Sequence, residues 1–222
     1  MQKKSEVIDT FRLKGLRKQL ISELKDKGIK DSRILEAFFE IPRHYFIDGT
    51  FAEWAYKDVP FNIGEDQTIS QPYTVAFMTE LLEVKPKDKI LEVGTGSGFQ
   101  ACLLAYLGAK VYSIERIEKL FSKTSALLPK IGFGQIRLFL GDGYDGLPKF
   151  APFDKIIVTA GAEVMPEKLL EQLGVGGIAV IPIGKDGSQV MTKVIKKSKH
   201  EYDVQEYGDF VFVPMLQGVV NK

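Results

Sequence analysis

Apolar side chains recur at helical spacing over the first forty residues of the chain. This period predicts a helix that ends at Lys27-Gly28, where a glycine can adopt the left-handed backbone of a helix C-terminus. A second helix is predicted to start after Asp31, whose carboxylate can cap it, and to stop before Pro42. Residues 43–71 show no clear period but many aromatic residues, and a loop of this length in a compact domain is often functional.

From Pro72 onward, short apolar segments alternate with amphipathic ones. The segments predict helices from Pro72, over 99–107, at about 117–130 and over 166–172, and strands over 89–93, 110–115, 136–140, 153–159 and 177–182. Such alternation predicts a mostly parallel sheet with helices on both faces and right-handed crossovers, the doubly wound, Rossmann-like α/β fold. Two further strands, about 188–196 and 202–213, read as an antiparallel pair at one edge. The chain is predicted to form one domain, with residues 1–71 as a helical and loop region and residues 72–222 as the α/β core.

Composition narrows the class of protein. The 222 residues include 30 Lys or Arg and 29 Asp or Glu, for a net charge of +1, which disfavours a surface built mainly to bind nucleic acid. A single cysteine, Cys102, excludes a disulfide scaffold and a multi-cysteine zinc site, and no metal site is predicted. No apolar run reaches the ~18 residues of a membrane span and the first residues are polar, so a soluble, cytoplasmic protein is expected.

A glycine-rich loop follows the first strand of the predicted core. Gly94-Thr95-Gly96-Ser97-Gly98 lies at the end of that strand, where ligands bind in doubly wound sheets. The dinucleotide pattern G-x-G-x-x-G is not met, because its third glycine would fall on Phe99. Glu92, just before the loop, would repel a diphosphate but tolerate positive charge. S-adenosylmethionine carries a sulfonium and an ammonium group and no phosphate, and it is therefore the predicted cofactor.

Two more acids follow successive strands. Glu115 ends the second strand of the core, where a carboxylate can accept both hydroxyls of a ribose. Asp142, in Gly141-Asp142-Gly143, follows the third strand and could accept a hydrogen bond from an adenine amino group. The predicted cofactor contacts in this part of the chain are Glu92, Gly94, Gly96, Ser97, Gly98, Glu115, Asp142 and Gly143.

Several segments together resemble the protein-L-isoaspartate O-methyltransferase family. They are IPRH (41–44), QTISQPY (67–73), LEVGTGSGFQ (91–100), YSIER (112–116), GDG (141–143), APFDKIIVTA (151–160) and FVP (212–214). The resemblance runs from about residue 15 to 218. Many methyltransferases share the glycine loop, whereas the Thr-Ile-Ser-Gln-Pro segment is specific to this family.

The resemblance implies transfer of a methyl group from S-adenosylmethionine to the α-carboxylate of isoaspartyl residues in damaged proteins and peptides. The methyl ester is a better leaving group, so a succinimide forms again and part of it opens to normal aspartate. The resemblance also implies a catalytic role for Ser70, cofactor contacts by Gln67, Thr68, Ile69, Ser70 and Arg116, and substrate contacts by Val213 and Pro214. Glu65 and Asp66 depart from the family, which commonly has a glycine or an aromatic residue ahead of this segment.

Two interpretations of Ser70 remain open from the residues alone. A carboxylate nucleophile has a reference pKa of ~4, so the transfer needs alignment with the sulfonium more than it needs a base. The hydroxyl of Ser70 could orient that carboxylate. It could instead cap the helix that begins at Pro72, and a residue at a helix N-terminus can serve both purposes.

Other functions fit the sequence less well. An RNA methyltransferase is expected to be more basic, and those that modify base amino groups often carry Asn/Asp-Pro-Pro-Tyr where this chain has Thr159-Ala160. A non-catalytic adenosylmethionine-binding module would be expected to lose the Thr-Ile-Ser segment, which is intact. A nicotinamide oxidoreductase is disfavoured by Phe99 and Glu92. Neither a nucleic-acid partner nor a membrane partner is predicted.

Overall fold

A seven-stranded sheet forms the centre of the computed structural model, which describes residues 8–185 and 187–221. Its strands, numbered after the β1–β2 hairpin described below, are β3 Lys89–Val93, β4 Lys110–Glu115, β5 Arg137–Leu140, β6 Phe153–Val158, β7 Leu173–Ile183, β8 Gln189–Lys196 and β9 Tyr202–Phe210. They run in the order β5-β4-β3-β6-β7-β8-β9. Strands β3 to β7 are mutually parallel, while β8 is antiparallel to both of its neighbours. The predicted Rossmann-like fold with an antiparallel edge is confirmed, and β7 starts four residues earlier than predicted.

Six α-helices surround the sheet in the described part of the chain. They are α1 Phe11–Asp26, α2 Ser32–Glu40, α3 Pro72–Leu82, α4 Phe99–Tyr106, α5 Glu118–Leu127 and α6 Glu167–Glu171. Asp31 caps α2 as predicted, since its side chain accepts from the N–H of Arg33 at 2.9 Å. No helix within residues 8–185 and 187–221 has both the length and the apolar character to span a membrane.

The segment from 43 to 71, predicted as a loop, contains regular structure. Two 3₁₀ turns, over Arg43–Phe46 and Gly49–Tyr56, are followed by a hairpin of β1 Phe61–Gly64 and β2 Gln67–Ile69. The hairpin turns at Glu65 and Asp66, which have φ values of 53° and 54°. Turns of this kind are usually made by Asn-Gly or Asp-Gly, so the sequence lacked the ordinary signal for a hairpin.

The sheet is buried on both faces, and the alternation of strand residues decides which layer each side chain enters. Ile90 and Val111 are paired neighbours that pack in the larger core, which also contains residues of α1 to α5. Leu91 and Tyr112 are the next pair and pack in the second core with residues of α6. The parallel pairing of β3 with β4 and β6 brings the carboxyl ends of these three strands together at one edge of the sheet.

Candidate active site at the carboxyl edge of the sheet

A cleft opens where β3, β4 and β6 end, between the β1–β2 hairpin and the C-terminal segment. Residues from the hairpin, the glycine loop, three strand ends and the C-terminus line it. They are Gln67, Thr68, Ile69, Ser70, Val75, Met78, Val93, Gly94, Thr95, Gly96, Ser97, Phe99, Gln100, Ile114, Glu115, Arg116, Ile117, Gly143, Thr159, Ala160, Val213, Pro214, Met215 and Leu216. The topology therefore gathers most of the predicted site residues into one cleft.

The glycine loop owes its shape to positive backbone angles. Gly94 and Gly96 have φ values of +96° and +50°, a region that other residues rarely adopt. A Cβ at Gly94 would overlap Oγ1 of Thr159, which itself donates to the carbonyl oxygen of Gly94 at 2.6 Å. Glycine at position 94 thus allows β3 and β6 to bring their ends close together.

Glu115 lies in the wall of the cleft and ties the glycine loop to β4. It is 4% exposed, and its Oε2 accepts from the N–H of Gly96 at 2.8 Å while its Oε1 accepts from the N–H of Ile117 at 2.9 Å. Each carboxylate oxygen has a second lone pair, so each can accept another hydrogen bond. The arrangement offers two parallel acceptors to a diol.

Glu92 lies beneath the cleft and does not line it. Its side chain points into the larger core, is 0% exposed, and accepts a short hydrogen bond from the hydroxyl of Ser113. The hydroxyls of Ser113 and Thr95 are 2.6 Å apart, so a short chain of polar groups connects Glu92 to the glycine loop. Burial raises the pKa of Glu92 to about 8, and the negative charge of Glu115 acts in the same direction. Oε1 of Glu92 has no hydrogen-bond partner among the described residues.

Gly98 and Asp142, both predicted as cofactor contacts, also lie outside the cleft wall. Gly98 is the N-cap of α4, and a Cβ there would lie 2.7 Å from Cγ2 of Thr124 on α5. Glycine at this position is therefore required by helix packing. Both oxygens of Asp142 accept backbone hydrogen bonds, from Tyr144 at 2.8 Å and from Gly218 at 2.6 Å, while neighbouring Gly143 lines the cleft.

The C-terminal strap, residues 213–220, crosses the mouth of the cleft and is held along its length. Near its start, the N–H of Gly161 donates to the carbonyl of Val213 at 2.8 Å, and the N–H of Met215 donates to the carbonyl of Gly161 at 2.8 Å. Near its end, the guanidinium of Arg116 donates to the carbonyl of Gly218 at 3.0 Å. These bonds put Val213, along with Pro214, in the cleft wall.

Ser70 lines the cleft immediately before α3, but it does not cap that helix. The N-cap is Gln71, which makes no side-chain capping bond, and the N–H of Tyr73 is instead bound at 2.7 Å by Oδ1 of Asp58. The other oxygen of Asp58 accepts from Nε2 of Gln71 at 3.0 Å and pairs with Lys27 at 2.5 Å. The interpretation of Ser70 as a helix cap is thus wrong, because the carboxylate of Asp58, twelve positions earlier in the sequence, binds the first turn of α3 instead.

Sequence reasoning missed several residues of the cleft wall. Thr159 and Ala160 follow β6, and the rule that ligands bind at the carboxyl ends of neighbouring strands would have identified them. Met215 and Leu216 continue the strap beyond the predicted Val213 and Pro214.

The charged groups around the cleft suit a cationic ligand without phosphate. The acid in the wall is Glu115, and a second carboxyl, Glu92, lies below with one oxygen unpaired. The base in the wall, Arg116, already donates to two carbonyl groups of the strap, at 3.0 and 3.2 Å. A sulfonium and an ammonium would find the negative charge of Glu115, while the base of the wall is already engaged in holding the strap. The described residues contain no cluster of three or more potential metal ligands.

Comparisons with known proteins agree on one family. The family model described as protein-L-isoaspartate(D-aspartate) O-methyltransferase matches residues 15–220. A protein-L-isoaspartate O-methyltransferase of Flavobacterium psychrophilum is 56% identical over 209 residues, which cover 94% of this chain and 98% of the relative. The corresponding protein of Christiangramia forsetii has the same identity and coverage.

Solved structures give the same result. A protein-L-isoaspartate O-methyltransferase superposes with a TM-score of 0.81 at 29% identity, covering 89% of this chain and 65% of that one. A Plasmodium falciparum structure described as a protein-L-isoaspartate O-methyltransferase, in complex with S-adenosyl-L-homocysteine, gives a TM-score of 0.79 at 26% identity. It covers 90% of this chain and 98% of that one.

Proposed function

The chain belongs to the protein-L-isoaspartate(D-aspartate) O-methyltransferase family, and from that premise we propose which of its residues bind the cofactor and the substrate. The reaction uses S-adenosylmethionine to methylate isoaspartyl residues of proteins and peptides, the first step of their repair. The assignment of these residue roles rests on one observation. The cleft brings the Gln67–Ser70 segment, the glycine loop, Glu115 and the strap into a single wall.

The chemistry needs alignment more than acid–base catalysis. S-adenosylmethionine supplies an electrophilic methyl group on a positively charged sulfur. The substrate's α-carboxylate is ionised at neutral pH, so no side chain has to remove a proton. A carboxylate oxygen forms the new C–O bond as the C–S bond breaks, and the electron pair of that bond stays on sulfur. The protein contributes a fixed geometry and a cleft that limits access of water.

Glu115 and the glycine loop form the proposed cofactor site. The two oxygens of Glu115 accept the ribose hydroxyls with the lone pairs that Gly96 and Ile117 leave free. Glu92 supports the loop from below through Ser113 and Thr95, and in this proposal it does not contact the cofactor. Gly143 lines the adenine end, with Asp142 holding the strap beside it.

Ser70 and the strap form the proposed substrate side. The hydroxyl of Ser70 makes no helix-capping hydrogen bond, and it orients the isoaspartyl carboxylate toward the methyl group. Val213 and Pro214 contact the peptide backbone on the opposite side of the cleft. The hairpin carries Glu65 near Lys119, with 3.0 Å between carboxylate and ammonium, so part of its negative charge is offset.

One assay tests the activity on which these roles depend. Tritiated S-adenosylmethionine is incubated with an isoaspartyl peptide and with its normal aspartyl twin. Base-labile label is expected only on the isoaspartyl peptide. Equal labelling of both peptides, or of neither, would contradict the proposed function. A cytoplasmic location stays a prediction of the sequence.

A further inference from the structure

Arg43 is a buried cation with little to pair with. The residue is 2% exposed, and its Nη2 donates to the carbonyl oxygen of Ser70 at 2.6 Å. Its Nε and Nη1 are buried without a hydrogen-bond partner among the described residues. The guanidinium carbon lies 4.8 Å from the centroid of the Phe99 ring, which also lines the cleft.

This environment is unfavourable for a positive charge. Burial lowers the pKa of Arg43 to about 9, although the negative charge of Asp58 acts in the opposite direction. Arg17, the other buried arginine, differs clearly: it is 3% exposed and all three of its nitrogens have partners, on Tyr56, Phe39 and Asp9. A structural role explains the pairing of Arg17 but does not explain an unpaired cation behind Ser70.

The substrate side of the cleft needs positive charge. The isoaspartyl carboxylate is an anion, and it must enter a site bordered by Glu115, with Glu65 and Asp66 on the hairpin. The N-terminus of α3 cannot supply the missing charge through Tyr73, because Asp58 already binds that N–H. Arg43 is a cation that contacts the Ser70 segment directly.

The geometry shows how the charge of Arg43 is transmitted. Its guanidinium donates to the carbonyl of the peptide bond that joins Ser70 to Gln71. This peptide bond is trans, so its N–H, on Gln71, is directed away from Arg43. A charge-assisted hydrogen bond to the carbonyl polarises the peptide group and strengthens the N–H as a donor.

We propose that Arg43 is a positioning residue for the substrate: it fixes Ser70 through its carbonyl and supplies, through the polarised Ser70–Gln71 peptide, the positive potential that binds the isoaspartyl carboxylate. This inference rests on the proposed function of the cleft. Arg43 itself stays behind the wall and touches neither cofactor nor substrate.

The test compares Arg43→Met, Arg43→Lys and the control Arg17→Met with the wild-type protein. For each, kcat and KM are measured with the isoaspartyl peptide, affinity for S-adenosylhomocysteine by calorimetry, and stability by thermal unfolding. Arg43→Met is expected to raise the KM for the peptide about tenfold with little change in cofactor affinity, because only the anionic substrate loses a favourable charge. Its unfolding temperature is expected to stay within a few degrees of that of wild type, since removal of the buried charge offsets the lost hydrogen bond to the Ser70 carbonyl.

The control variants separate charge from structure. Arg43→Lys keeps a basic group at this position and, assayed at pH 6 so that a buried amine stays protonated, is expected to keep KM within about threefold of wild type. Arg17→Met is expected to unfold at lower temperature, with KM unchanged. An unchanged KM in Arg43→Met, an equal rise in Arg43→Lys, or an Arg43→Met protein that fails to fold would each overturn the proposal. Wild-type protein that does not methylate the isoaspartyl peptide would instead contradict the proposed function.

Discussion

Replacing Glu92 with glutamine is expected to stabilise the protein at neutral pH and to leave it almost unchanged near pH 5. Glutamine has nearly the shape of a protonated glutamic acid but cannot ionise. Glu92 is fully buried, and its pKa rises from 4.5 to about 8, chiefly through burial. The variant therefore removes one titration and preserves the packing between β3 and the larger core.

The magnitude follows from proton linkage. Below pH 4.5 the carboxyl is protonated in both the folded and the unfolded state, and it contributes no pH dependence. Between pH 4.5 and about 8 the unfolded chain loses the proton while the folded protein keeps it, so the free energy of unfolding falls as pH rises. At about 1.4 kcal/mol per pH unit, the loss at pH 7 is about 3 kcal/mol relative to pH 4.5. Glu92→Gln is expected to recover a large part of this loss.

Urea unfolding at pH 5, 6, 7 and 8 measures the effect. The difference in unfolding free energy between Glu92→Gln and wild type is expected to grow steadily with pH and to level off above pH 8. Glu118→Gln, on the exposed first turn of α5, is the matched control and is expected to show a constant, small difference. Parallel curves for Glu92→Gln and wild type over this range would refute the reasoning, because Glu92 would then be ionised in the folded protein.

Four further substitutions test individual contacts of the site. Glu115→Ala is expected to weaken S-adenosylmethionine binding by about 1.5–3 kcal/mol, the worth of hydrogen bonds to a charged group, and unchanged affinity in calorimetry would place the ribose elsewhere. Ser70→Ala is expected to lower kcat without loss of thermal stability. Asp58→Ala is expected to cost ~1 kcal/mol or more of stability, since the carboxylate of Asp58 binds the first turn of α3. The reverse pattern in paired kinetic and unfolding measurements would restore Ser70 as the cap. Asp142→Asn is expected to loosen the strap and raise the peptide KM, and an unchanged KM together with unchanged proteolysis of the C-terminus would show that the strap is held without it.

The core of the fold was predictable because its signals are local. Short apolar strands between amphipathic helices, with glycines at the junctions, defined β3 to β6 and the glycine loop. The position of Glu115 followed from the same pattern, because a residue at the end of a parallel strand lies at the ligand edge. Glu92 follows the same pattern in sequence, but it pairs with Ser113, two residues before Glu115 on the neighbouring strand, so its side chain lies on the same face of the sheet and one step below the cleft.

The remaining features depend on contacts between distant residues. The bond from Arg116 to Gly218 joins residues 102 positions apart, and Asp58 binds the helix that starts after Ser70 across a hairpin. No local sequence pattern predicts either of these two contacts. The hairpin itself was missed because Glu65 and Asp66 adopt positive φ values that are more typical of glycine and asparagine.

The two hydrogen bonds that the Asp142 carboxylate accepts also affect how this enzyme ages. Asp142 precedes Gly143, and Asp-Gly is the kind of sequence in which a backbone nitrogen readily attacks the preceding side chain to form a succinimide. Its carboxylate is held instead by the N–H groups of Tyr144 and Gly218, and these two bonds restrict the rotation that cyclisation needs. The hydrogen bonds that fasten the strap therefore also protect the chain from the damage that this family repairs, and an enzyme that loses its strap becomes a candidate for its own substrate.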